Sequence, residues 1–435
     1  MLRRVNRIAF VNPNGELETI APDGRQRQRI APSELLFQFP AWSPDGQRVA
    51  AVGGTFDRAG VFVFEDVAYD AARLNRPYAI YESDRDAPVY VFWSPDSRHL
   101  SFITNRADEK SLGLHVATVV GASPAGHGEA ASRLVATGRP CFWDWSADGK
   151  RILLHTGLAS EEGSQLKFID PFNPASGNAS LARPGLFQAP GIARSGRFWA
   201  FGQINRAGEL QLVVDGRSAP KRMLVPHHGI AAISWSPAHD QLAYISPTEP
   251  VRTYYGPLRL LDATTGRVRV LTDDIVLAFF WSPDGRQIAY FTIANIAEYV
   301  RRNVLPDPDA AVYDGGFWNH DEANRERDSQ QEETTEEERT LRFNLWSVDI
   351  EQGEHRLIVT FEPVDTFVNH LLPFFDQYAL SHRIWSPDSS AIVLPMATGG
   401  DAGSERADIY VVPMSRRGGP PRPIAEGSMA SWSQC

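Results

Sequence analysis

A five-residue motif, Trp-Ser-Pro-Asp-Gly or a close variant, returns along almost the whole chain and constrains the fold more than any other feature. Copies begin at Trp42, Trp93, Trp145, Trp235, Trp281 and Trp385. Seven residues after each Trp comes an apolar triplet such as Val49-Ala50-Ala51 or Ile288-Ala289-Tyr290. A degenerate copy, Ile192-Ala193-Arg194-Ser195-Gly196, leads in the same way to Trp199-Ala200-Phe201. Successive starts lie 51, 52, 47, 43, 46 and 104 residues apart. A repeat of roughly 40–50 residues is the period of one propeller blade.

Each motif reads as a tight turn between two strands. Proline fixes φ at about −65°, serine and aspartate cap the turn, and glycine accepts a positive φ. The Trp closes the first strand, and its ring is large enough to fill the wedge between neighbouring sheets. Two further strands follow in each repeat: 258–262 and 268–272 in the Trp235 copy, and 409–412 as the third strand of the Trp385 copy. Four short strands per repeat make an all-β propeller. The chain opens on a second strand, 7–11, followed by strands near 16–20 and 28–31, and it closes on a first strand, 429–433. Joined, these form one blade, and the join removes two exposed sheet edges. Seven internal repeats and this composite predict eight four-stranded blades in a single domain over 1–435. The weak copy at Ile192 leaves seven as the alternative.

The pattern Trp-Ser-Pro-Asp-Gly-x-x-Ile-Ala-Tyr resembles the bacterial PD40 repeat, the WD40-like repeat of TolB-type propellers. It is also similar to the propeller domain of the dipeptidyl-peptidase IV and prolyl-oligopeptidase group. The resemblance spans nearly the whole chain and implies the fold. It implies less about function, because propellers serve partner binding, ligand binding and catalysis alike. Neither the extra N-terminal α/β domain and export signal of TolB nor the Gly-x-Ser-x-Gly hydrolase domain of the peptidases is recognisable in the sequence.

Composition sets outer bounds. With 43% hydrophobic and 22% charged residues, the 435-residue chain is neither disordered nor collagen-like. No apolar run reaches the ~18 residues of a membrane-spanning helix, so no membrane span is expected. A net charge of −10 argues against nucleic acid as a partner. Two cysteines, Cys141 and Cys435, cannot build a disulfide framework. The expected location is cytoplasmic, or periplasmic if an export signal has been removed, and the expected state is a monomer.

The 104-residue spacing after Trp281 contains only one blade's strands: 287–293, 343–350 and 356–361. The excess is an insertion at 295–341 within that blade, partly helical or disordered. Its first part, 295–305, fits a short amphipathic helix. Residues 321–339 are too densely charged to bury, with five glutamates in 332–338. Tyr313, Phe317 and Trp318 are the candidate aromatic anchors for a protein partner beside this acidic arm. A second irregularity, the apolar segment 367–378, is expected as a loop packed beneath the insertion.

Candidate chemistry is sparse. Asp307, Asp309 and Asp314 superficially resemble a calcium loop but lack its ligand order and the closing glutamate. His227 and His228 are neighbours on an extended chain and point opposite ways, which suits surface positions better than one metal. Asp45, Asp96, Asp148, Asp284 and Asp388 share one turn position and are read as turn caps. Cys141 is read as a small buried thiol on an inner strand. No catalytic residue, metal ligand or cofactor is therefore assigned. The expected function is a non-enzymatic protein-interaction scaffold of the TolB-like propeller type. The alternatives are a channel-mouth enzyme or small-ligand or metal binder of lyase or hydrolase type, and an envelope TolB-like component lacking its signal.

Overall fold

The computed structural model describes residues 6–434 except 69–77, 108–110, 120–131, 159–162, 174–179, 187, 217–221, 250–252, 295–340, 399–405 and 416–417. The repeat spacing becomes eight antiparallel sheets arranged as blades. The first blade is the composite one: Met429–Trp432 is its inner strand, followed outward by Ile8–Val11, Leu17–Ile20 and Gln28–Arg29. The register runs Ile8↔Trp432 to Val11↔Met429, so the two ends of the chain zip into one ladder. Ser433 N–H extends it by donating to the Arg7 carbonyl at 2.9 Å. The fold is an eight-bladed propeller.

The blades beginning at Leu36–Trp42, Ala87–Trp93, Gly191–Ile192, Ala232–Trp235 and Ala278–Trp281 each have four strands. The fourth blade, beginning at Cys141–Trp145, and the eighth have three named strands. In the eighth, the inner position is a single bridge, Trp385↔Ile392. The weak sequence copy at Ile192 is a blade of its own, with an inner strand of only two residues. That shortness is why its motif is hard to read.

The turns follow their residue chemistry. In the Trp42 copy, Ser43 Oγ donates to Asp45 Oδ1 at 2.6 Å, Gln47 N–H donates to the same oxygen at 3.1 Å, and Gly46 takes φ +68°. The same serine–aspartate bond recurs at 2.6 Å in the copies at Ser94, Ser146, Ser282 and Ser386. The Ser146 hydroxyl holds the Asp148 carboxyl below the usual range. All five aspartates are turn caps. Two copies carry serine in place of glycine, and both serines adopt the left-handed region, Ser97 at φ 59° and Ser389 at φ 61°. Each serine oxygen also accepts from the preceding blade: Asp45 N–H reaches Ser97 Oγ at 3.0 Å, and Asp284 N–H reaches Ser389 Oγ at 3.2 Å. The hydroxyl offsets a strained φ with a bond across the blade boundary.

The tryptophans do more than fill the wedge. Trp93 Nε1 donates to the Ala41 carbonyl at 3.0 Å, Trp281 to Ser234 at 3.1 Å, and Trp385 to Phe280 at 3.1 Å. In each case the acceptor is the residue just before the motif Trp of the preceding blade. The indole thus staples one inner strand to the next while burying its ring.

Candidate functional site

The axis of the ring is where a propeller brings side chains from different blades together. Here it holds the chain's own segment. The segment 367–378, expected from sequence as a loop, instead forms, together with 379–381, a π-helical turn Phe367–Leu371, a 3₁₀ turn Leu372–Phe374 and an α-helix Phe375–Ser381. Its sequence, Phe-Val-Asn-His-Leu-Leu-Pro-Phe-Phe-Asp-Gln-Tyr-Ala-Leu-Ser, has apolar residues on all sides, as a helix enclosed by protein requires. The inner strands, short and crowded, leave no ladder partner on the axis side, so a helix that satisfies its own backbone is the element that fits there.

The plug is held by apolar and polar contacts from several blades. Phe375 is fully buried, with its ring 5.2 Å from Phe279, 6.1 Å from Phe280 and 5.9 Å from Tyr254. Tyr254 Oη donates to the Leu372 carbonyl at 2.9 Å. At its base, Phe367 packs 5.2 Å from Phe291 and 6.2 Å from Phe343, the strands between which the insertion leaves the sheet. Gln377 takes the place of a strand: Trp143 N–H donates to its Oε1 at 3.1 Å, and its Nε2 donates to the Trp143 carbonyl at 2.9 Å. Tyr90 Oη lies 2.9 Å from the Gln377 carbonyl and 2.5 Å from Ser381 Oγ.

Ser381 Oγ is 2.6 Å from His382 Nδ1, and His382 Nε2 is 3.1 Å from the Phe39 carbonyl. A carbonyl can only accept, so Nε2 carries a proton. Burial lowers the His382 pKa to about 4, so the ring is neutral near pH 7 and Nδ1 accepts from Ser381. A hydroxyl on an imidazole is also how a hydrolytic nucleophile is built. Here the serine is 5% exposed and its oxygen is engaged by Tyr90, so the pair belongs to a buried chain of bonds that fixes the plug.

Two carboxyls share this region. Asp376 Oδ1 accepts from Gln377 N–H at 2.9 Å and Oδ2 lies 3.4 Å from Ala189 N. Burial raises its pKa to about 6. Asp144, on the inner strand of the fourth blade, accepts from Ile192 N–H at 2.7 Å, and burial raises it to about 7.

Above the plug the axis opens into a cup of ≈ 180 Å³ on the face that carries the Trp-Ser-Pro turns. Residues 379–384 form its floor, and Pro44, Pro95, Pro237 and Pro283, one per motif, form much of its rim. Asp144, Arg194, Arg383 and Gln434 supply its polar wall.

The residues singled out by sequence distribute as follows. Tyr313, Phe317 and Trp318, the insertion 295–340 and Asp307, Asp309 and Asp314 lie outside the described residues. His227 is half-buried with Nδ1 2.9 Å from the Val225 carbonyl, and His228 is exposed. Cys141 is buried, and burial pushes its thiol up to about 12, which leaves it unreactive. Among the described residues no group of three or more His, Cys, Asp or Glu side chains is placed to hold a metal ion. Sequence reasoning missed the plug and its polar chain. The available signal was the polar pair Asp376-Gln377 inside an apolar run.

No protein-family model matches the chain, and no curated protein matches it. Solved structures do. TolB from Acinetobacter baumannii is 17% identical over 61% of this chain and 63% of its own, with a TM-score of 0.36. Puromycin hydrolase is 16% identical over 66% and 49%, with a TM-score of 0.44. Oligogalacturonate lyase from Vibrio parahaemolyticus is 10% identical over 97% and 85%, with a TM-score of 0.45. The chain thus spans less than two thirds of the length of the first two. The likeness is one of fold, and the eight-bladed architecture stands on the strand pairing itself. Among the described residues no helix is long and apolar enough to cross a membrane.

Proposed function

We propose that this chain is a non-enzymatic scaffold that works as a cytoplasmic monomer and binds a protein partner through its faces and the 295–341 insertion. The observation that supports this reading most is the plug. At the axis, Tyr90, Trp143, Gln377, Ser381 and His382 spend polar groups on one another and so fix the helix Phe375–Ser381 in place, which favours the blade loops for recognition. The insertion leaves between Ile293 and Phe343, beside the base of the plug. Its Tyr313, Phe317 and Trp318 are aromatic anchors of the kind that dominate protein interfaces.

The test compares proteins recovered with the full chain, with a variant lacking 306–340, and with the triple variant Tyr313→Ala, Phe317→Ala, Trp318→Ala. A partner recovered with the full chain and lost with both variants supports the reading. Unchanged recovery with the deletion removes the insertion from it.

A further inference from the structure

The composite blade carries the one seam of the ring. Among the described sheets, Ile8–Val11 and Met429–Trp432 are the only paired strands that do not follow one another along the chain. Their ladder of four residue pairs therefore has no connecting turn to hold it shut. The closing strand of a second copy has the same sequence, so it competes for Ile8–Val11 as a strand-swapped partner. Bonds outside the ladder decide whether the strand stays in its own ring.

Such bonds run from Ser428 to Trp432, and most lead to the plug. Thr366 Oγ1, immediately before the plug, donates to the Ser428 carbonyl at 3.0 Å. Arg383, just after the plug, accepts at its carbonyl from Trp432 N–H at 2.7 Å. Between these, Ser431 Oγ donates to the Pro40 carbonyl at 2.6 Å, and Phe39 N–H donates to Met429 Sδ at 3.3 Å. Phe39 passes this second pair on to the plug. Its carbonyl accepts from His382 Nε2 at 3.1 Å, and its ring lies 5.5 Å from Tyr378. It does so at φ 50°, a left-handed conformation that a bulky side chain holds only where its surroundings impose it. The eighth blade keeps a single inner bridge, Trp385↔Ile392, and the exit of the plug takes the place beside the closing strand.

We propose that the plug is a latch on the ring closure: it holds Met429–Trp432 in its own ring and so keeps the composite blade from being completed by a second copy. The two ends of the plug grip the two ends of one strand, so the strand leaves only when the plug shifts. The latch is independent of what binds the insertion, which departs from another blade between Ile293 and Phe343.

Concentrated samples of the full-length protein, Thr366→Val, Ser431→Ala and the double variant are followed by size-exclusion chromatography with light scattering. Each lost bond is expected to raise the population with an open seam about fivefold. The double variant should therefore form dimers about 25-fold faster than wild type, taking the bonds as independent, and the dimers should persist on dilution. Thr366→Val, isosteric and only half-buried, should show the fivefold rise alone even if the double variant folds poorly. Trp281→Phe loses a cross-blade bond away from the seam and should dimerise at the wild-type rate. To identify the swap, double-variant copies carrying Val11→Cys are mixed with copies carrying Met429→Cys, both with Cys435→Ser. Val11 and Met429 face each other in the ladder, so oxidation should join the two chains of a mixed dimer. Variants that remain monomeric, equal dimerisation of Trp281→Phe, or dimers that do not cross-link overturn the latch.

Discussion

Gln377 and Trp143 face each other across the axis as two residues of a ladder would. The amide of Gln377 accepts from the Trp143 N–H at 3.1 Å and donates to its carbonyl at 2.9 Å. One side chain thereby satisfies both backbone groups of a fully buried residue, with Gln377 itself 4% exposed. With the Tyr90–Ser381 contact at 2.5 Å, it ties the helix to the ring.

Replacing Gln377 by leucine keeps the bulk and removes both bonds. Each backbone group left buried without a partner costs roughly 1–3 kcal/mol, so urea unfolding should report a loss of that order or greater. Gln377→Glu should cost more, because a carboxylate turns an acceptor toward the Trp143 carbonyl. Wild-type stability in both variants would mean that the helix does not engage the inner strand.

The indole staples give a paired comparison. Trp281 Nε1 donates to the Ser234 carbonyl, whereas Trp235 Nε1 has no hydrogen-bond partner among the described residues. Trp281→Phe and Trp235→Phe remove similar ring volume, but only the first breaks a cross-blade bond. We predict that Trp281→Phe is the more destabilising by about 1 kcal/mol, read as the difference between the two denaturation midpoints. Equal losses would reduce the staple to simple packing.

The buried carboxyls bear on pH. Asp144 and Asp376 are raised from an ordinary 3.8 to about 7 and about 6. A raised folded-state pKa contributes stability that is complete below the unfolded value near 4 and is lost as pH climbs through the folded value. His115, His155 and His382, lowered by burial from 6.5 to about 4, act in the opposite sense. Their contribution is complete above 6.5 and is lost as pH falls toward 4. The variants separate the two sets: Asp144→Asn and Asp376→Asn should gain stability relative to wild type as pH rises from 5 to 8. A constant difference across that range would show that both aspartates are already ionised in the folded ring at pH 5.

The ring was legible in the sequence because its determinants are local and repeated. The Ser-Pro-Asp-Gly turn carries its own hydrogen bonds within six residues. The composite blade was legible because residues 7–11 and 429–433 each lacked a complementary strand, and Ile8 does pair with Trp432. The plug was not. Segment 367–381 occurs once, so no repeat announces it, and an apolar run of that length fits a buried loop as well as a helix. Its meaning depends on Tyr90, Trp143, Tyr254 and Phe279, which come from four different blades. Asp144, Arg194 and Arg383 converge on the cup for the same non-local reason. Spacing along the chain carries no record of convergence across a ring.

Amide hydrogen exchange over 367–382, followed by mass spectrometry, tests the central claim most directly. A helix enclosed by the inner strands opens only when the ring opens, so its amides should exchange as slowly as those of Ala278–Trp281 and Cys141–Trp145. Exchange at the rate of the exposed blade turns would contradict a filled axis.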